Sequence, residues 1–82
     1  MHVAVISPER VLFDGDADVV VAPAFDGLVG ILPRHAPFVT LLGEGVVTVR
    51  GTGGVGAFRV AHGFLQVVSN RVRVVADRAE PA

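Results

Sequence analysis

The chain has 82 residues, 51% of them apolar, with 10 Gly, 5 Pro and no Cys, Trp or Tyr. It is long enough for one domain only, and a domain of this size buries about 60–65% of its unfolded surface, so a covering partner is expected where no disulfide or cysteine-held zinc adds stability. Seven Arg, no Lys and eight acids leave a net charge of −1, which excludes the basic excess that a phosphate backbone requires.

Valine dominates the apolar set with 18 copies, and β-branched side chains suit the pleated sheet better than the helix. Val3–Ile6 predicts a first strand, stopped by Ser7-Pro8-Glu9-Arg10, and Val11–Phe13 a second, stopped by a bend at Asp14-Gly15-Asp16. Val19–Ala22 runs into Pro23, Val29–Leu32 into Pro33, and Phe38–Leu42 into Gly43-Glu44-Gly45. Val46–Arg50 leads into a glycine-rich turn from Gly51 to Gly56, and Ala57–Ala61 is ended by His62-Gly63. Phe64–Val68, Ser69-Asn70 and Val72–Ala76 complete the pattern. Turn signals recur about every 6 to 12 residues and no window carries a helical stripe, which predicts an all-β chain of eight to ten short strands. Arg71 and Arg73 alternate with Val72 and Val74 and belong on a wet face. Val19-Val20-Val21-Ala22 is apolar on both sides, which implies two packed layers with part of the outer surface covered by another chain.

No apolar stretch approaches the roughly 20 residues of a bilayer span, and no basic amino terminus leads into an apolar core, so a soluble, non-exported chain is expected. Gly51-Thr52-Gly53-Gly54-Val55-Gly56 spells G-x-G-x-x-G, but a strand follows where phosphate binding needs a helix amino terminus, so it reads as a hairpin turn. Asp14, Asp16 and Asp18 have the opening spacing of a calcium loop, yet Val19 and Phe25 hold the places that need Gly and Glu. Ser7-Pro8-Glu9 has the form of a helix start, but no amphipathic run follows, and it reads as a turn. His2, His35 and His62 match no ligand or nucleophile signature. His35 stands out because Pro33 and Pro37 stiffen its loop, and rigid exposed loops are where contact residues sit.

Five segments in order carry a resemblance: Val5-Ile6-Ser7-Pro8-Glu9, then Phe13-Asp14-Gly15-Asp16-Ala17, then Gly27-Leu28-Val29-Gly30-Ile31-Leu32-Pro33-Arg34-His35-Ala36-Pro37, then His62-Gly63-Phe64-Leu65-Gln66-Val67, and finally Val74-Val75-Ala76-Asp77-Arg78-Ala79-Glu80. Together they resemble the epsilon subunit of F-type ATP synthases over essentially the whole chain. The resemblance implies a single domain over 1–82, a flattened ten-stranded β-sandwich, without cofactor, metal or catalytic residue. It implies a central-stalk subunit that links the gamma subunit to the membrane c-ring, coupling ion translocation to ATP synthesis at the cytoplasmic face of the bacterial plasma membrane. The gamma-facing positions it implies are Ser7, His35, Thr40, Ala61 and Gln66, and the loop Asp26-Gly27-Leu28-Val29 would meet the c-ring.

Three departures from the family pattern bear on these expectations. Members often carry a second acid where this chain has Leu28, which leaves Asp26 as the only anion of that loop. Members commonly have Gly where this chain has His62, so a less tightly bent turn is expected there. Members usually continue into a carboxyl-terminal two-helix domain, whereas these residues end at Pro81-Ala82, so a short form lacking that hairpin is expected. The alternative reading from the residues themselves is an unrelated small β-sandwich adaptor that binds a protein partner.

Overall fold

The computed structural model describes every residue, Met1–Ala82. Eight strands and no helix make up the regular structure: β1 (His2–Ile6), β2 (Val11–Asp16), β3 (Val19–Ala24), β4 (Gly27–Ile31), β5 (Phe38–Leu41), β6 (Gly45–Gly51), β7 (Gly54–Val68) and β8 (Arg71–Pro81). They form one hydrogen-bonded sheet in the order β2-β1-β8-β7-β6-β3-β4, with β5 joined to β7. The pairing of β1 with β8 is parallel; the other strand pairs are antiparallel.

The all-β expectation holds, but the count of ten strands is corrected to eight. One strand of the difference is accounted for at His62-Gly63, where a break was expected and the chain instead bends within one 15-residue strand, and another by β8, which runs unbroken over 11 residues. His62 has φ 59° and Gly63 φ 132°, and the antiparallel pairing of β7 with β8, which runs from Phe58 opposite Pro81 to Val68 opposite Arg71, skips only His62 and resumes at Gly63 opposite Ala76 in the same register. The bend shifts the side-chain alternation by one residue. Phe58 and Val60 are buried before it, Leu65 and Val67 after it. A strand of period two changes phase in this way when it crosses from one layer to the other. β8 does the same, burying Val72, Val74 and Ala76 and then packing Ala79 on the core.

Both long strands therefore serve two layers. One layer holds β2, β1, the first half of β8, the second half of β7, and β5; the other holds the remaining halves of β8 and β7 with β6, β3 and β4. Sixteen buried apolar residues fill the space between, and Phe13 of the first layer meets Phe58 of the second with ring centroids 6.2 Å apart and planes tilted by 48°. Fully burying a side chain such as Leu65 or Ile31 contributes about 1.5–3 kcal/mol.

Two further expected breakers lie inside strands. The acids Asp14 and Asp16 are solvent-exposed, but no bend occurs at Asp14-Gly15-Asp16: β1 supplies a partner for each, pairing Ala4 with Asp14, Val3 with Gly15 and His2 with Asp16. The chain turns later, at Ala17-Asp18, whose amides donate to the Met1 and Arg50 carbonyls. Pro23 lies within β3, beyond the last pair that β3 makes with β6, Val21 opposite Thr48. Its missing N–H therefore removes no rung from that ladder, and its carbonyl accepts from the Gly43 N–H at 2.8 Å.

The remaining turns follow the sequence. Ser7 and Arg10 exchange two backbone hydrogen bonds, Thr52-Gly53 links the paired residues Gly51 and Gly54, and Ser69-Asn70 closes the last hairpin with φ of 50° and 61°. Two positive φ values in a two-residue loop are the signature of a type I′ turn, whose twist matches the flanking strands.

At His62 the bend is not relaxed by the loss of glycine; the imidazole-bearing residue is held in left-handed backbone. Such a conformation costs a non-glycine residue roughly 1–2 kcal/mol. His62→Gly is expected to stabilise the fold by about 1 kcal/mol, seen as a higher midpoint in urea unfolding with an unchanged slope.

Candidate functional site

The three histidines form no common cluster with other metal-ligating side chains. His2 bonds Asp14 through Nε2 on the outer side of β1 and β2, His62 sits at the bend of β7, and His35 lies in the connection from β4 to β5. The His35 loop is pinned from several sides. The His35 N–H donates to the Leu32 carbonyl at 3.2 Å, its Nδ1 bonds the Ala36 carbonyl at 2.7 Å, and its ring stands edge-on to Phe38 with centroids 5.6 Å apart. A donor at Nδ1 leaves Nε2 for an outside partner. Arg34, at φ 67°, donates its backbone N–H to Asn70 Oδ1 at 2.9 Å. Asn70 thus holds the loop from the β7–β8 hairpin, a positioning role that 36 residues of separation hide from the sequence.

The five expected gamma-facing positions fall into two groups. Thr40 lies on β5, half-buried and opposite Leu65, and Gln66 lies on the outer face of β7 between Val39 and Arg73. With His35 they surround the edge strand β5. Ser7 and Ala61 belong to the bend end of the molecule. Ser7 is only 5% exposed, and its hydroxyl bonds Glu9 Oε2 and the Arg10 carbonyl at 3.3 and 3.4 Å. Ala61 is on the outer face of the other layer, opposite Arg78. A groove of about 600 Å³ lined by Glu9, Glu44, Arg59, Ala61, Arg78 and Glu80 joins these two places.

The outer face of the first layer carries what the sequence did not single out. Strand register aligns Leu41, Phe64, Val75, Ile6 and Val11 in one row across all five strands. Leu41 is 63% exposed and Val39 beside it comparably so. With adjacent strands about 4.8 Å apart, the row is about 19 Å long. A contiguous apolar row of this kind on a small domain marks a surface built for contact. Below it, Arg71 and Arg73 project from β8 as expected, both exposed.

The expected loop Asp26–Val29 is corrected. Only Phe25 and Asp26 form the turn, and Gly27, Leu28 and Val29 are already in β4, opposite Ala24, Pro23 and Ala22. Val29 packs on the core. Leu28 is 77% exposed and Phe25, which the sequence reading left out, is 69% exposed. This hairpin tip presents two apolar side chains flanking the single acid Asp26.

Residues 1–82 match the family described as ATP synthase, delta/epsilon chain, beta-sandwich domain. The chain belongs to that family. It is 43% identical over all 82 residues to the ATP synthase epsilon chain of Roseiflexus sp. (strain RS-1), and 45% identical over 78 residues to that of Desulforamulus reducens. These alignments cover 100% and 95% of the chain and 59% of each relative, so the chain spans about three-fifths of their length. Its fold is shared with a chain of the Euglena gracilis mitochondrial ATP synthase OSCP/F1/c-ring structure (TM-score 0.87, 20% identity, 96% of this chain and 51% of that one). A chain of the Tetrahymena thermophila mitochondrial ATP synthase central stalk/c-ring structure gives the same TM-score at 18% identity, covering 99% and 66%. Membership of the family sets aside the unrelated adaptor.

Proposed function

We propose that this sandwich is the stalk-binding part of an ATP synthase epsilon subunit, without catalytic residues of its own, which links the gamma subunit to the c-ring and so couples ion translocation to ATP synthesis. The observation that carries this reading is the family match over the whole chain. The names of the relatives and the central-stalk and c-ring assemblies that hold the same fold support it. The subunit works as a peripheral component at the cytoplasmic face of the bacterial plasma membrane, held there through its partners.

In this reading gamma lies against β5 and the outer face of the first layer, where His35 and Gln66 flank the apolar row and Thr40 sits on the inner side of the edge strand, opposite Leu65. The hairpin tip meets the c-ring through Phe25 and Leu28, with Asp26 as its one charge, so apolar contact outweighs ion pairing there. Ser7 acts indirectly, by closing the turn that ends β1, and Ala61 lines the groove beside it. A stalk subunit must carry torque without shearing, and two long strands shared by both layers tie those layers together through a ladder that skips only His62.

Retention of purified gamma on the immobilised chain tests the assignment. Thr40→Arg and His35→Glu are each expected to weaken retention by about tenfold, which corresponds to about 1.4 kcal/mol. Unchanged retention by both would remove the β5 edge from the proposed contact.

A further inference from the structure

We propose that, in the free chain, a second copy of the same chain docks on the outer face of the first layer, forming a symmetric pair centred on β1. This does not rest on the stalk reading, although it uses the face that carries Gln66.

The argument is one of matched charge. On this face Arg71 and Arg73 lie on β8, one strand to one side of β1, and Asp16 and Asp14 lie on β2, one strand to the other side. The register puts Arg71, His2 and Asp16 at one height and Arg73, Ala4 and Asp14 at the next. A two-fold axis in the interface, running parallel to β1, lays β8 of each copy over β2 of its partner. Each Arg71 then meets Asp16 of the other copy, and each Arg73 meets Asp14. The same rotation sets Ile6 on its own counterpart and Val75 on Val11, so apolar residues meet apolar residues. A self-complementary patch is what an isologous dimer requires.

The charges are free to make these contacts. Arg71, Arg73 and Asp16 have no hydrogen-bonding or ion-pairing side-chain partner within the chain, and Asp14 engages only His2, through Oδ1. At the centre of the face Ala4 is small and 7% exposed, while His2, at the height of Arg71 and Asp16, leans onto Asp14 and meets its own counterpart across the axis. Sheets stacked face to face keep their strands within about 30° of one another, which suits an axis along the strands. Three strands of each copy overlap, well short of the ≈800 Å² per partner of a standard interface, so pairing belongs to high protein concentration. Placed on the face that gamma is proposed to cover, the pair shields the apolar row's inner half until assembly displaces it.

Sedimentation of the isolated chain from dilute to near-millimolar concentration tests the proposal. The wild type is expected to pass from monomer to dimer. Arg71→Asp and Asp16→Arg are each expected to weaken the dimer by about tenfold or more, because like charges then face one another twice. The double variant Arg71→Asp with Asp16→Arg restores the pairing, since each copy again meets its opposite charge. A wild type that stays monomeric throughout overturns the proposal, as does a dimer indifferent to the single reversals or one that the double variant fails to restore. Because gamma is absent from this measurement, its result and that of gamma retention can fail separately.

Discussion

Gly63→Ala is expected to abolish cooperative folding. Gly63 sits at φ 132°, and a Cβ built there would lie 2.0 Å from the Val75 carbonyl oxygen and 2.8 Å from the Ala76 Cα. Both are backbone atoms of β8, so no side chain can rotate out of the way. Relief would require the β7 and β8 ladders to separate at the point where both strands change layers, and the two layers would lose the connection that aligns their core. A cost above about 4 kcal/mol belongs to this kind of backbone conflict. A chain of this length has a total stability on the order of 4–12 kcal/mol, so the variant is expected to lose its sigmoidal urea transition or to become insoluble. Gly53→Ala is the control: its Cβ would meet nothing within 4 Å and its φ is not positive, and its midpoint should stay within about 0.5 kcal/mol of wild type. A Gly63→Ala protein that unfolds at the wild-type midpoint would falsify the structure of the bend.

Leu41→Asp is expected to separate binding from folding. Leu41 is largely exposed at one end of the apolar row and pairs with Phe64 on the neighbouring strand. Introducing a carboxylate there leaves the core untouched, so the unfolding free energy should move by less than about 0.5 kcal/mol. Against gamma the same change strands a charge inside an apolar contact, and a loss of about 2 kcal/mol or more, roughly 30-fold in affinity, is the expected scale for a central contact residue. Retention assays with the folded variant read this directly. Equal affinity for wild type and variant would mean that gamma does not cover this row. Leu41 lies three strands from β1, outside the overlap of the proposed symmetric pair, so its dimerisation should persist.

Much of the site was accessible from residue order because it depends on local chemistry. Pro33 and Pro37 mark the His35 loop as rigid, and the structure fixes it as such with contacts to Leu32 and Ala36. The exposed placement of Arg71 and Arg73 follows from simple alternation with the buried Val72 and Val74. What escaped was set by pairing across the sheet. Asn70 reads locally as a turn residue, and only the approach of Arg34 gives it a second task. The apolar row draws one residue from each of five strands, and since those residues are isolated in sequence, each looks like an ordinary surface position. Phe25 was not singled out as a contact residue because nothing local distinguishes a buried phenylalanine from one at the tip of a turn.

The breakers divide along the same line. Ser7-Pro8-Glu9-Arg10, Thr52-Gly53 and Ser69-Asn70 end strands as their composition dictates, because each closes a turn through its own backbone geometry. Asp14-Gly15 and His62-Gly63 carry equally strong turn signals and yet lie within strands. There β1 and β8 supply long-range ladder partners, and those bonds outweigh local preference. Residue order alone therefore determined the all-β class, the valine core and the family pattern, since these rest on side-chain type and short spacing. The continuity of β7 and β8 through both layers, and the faces that follow from it, were decided by tertiary structure, because whether a glycine ends a strand or bends it depends on the strand paired opposite.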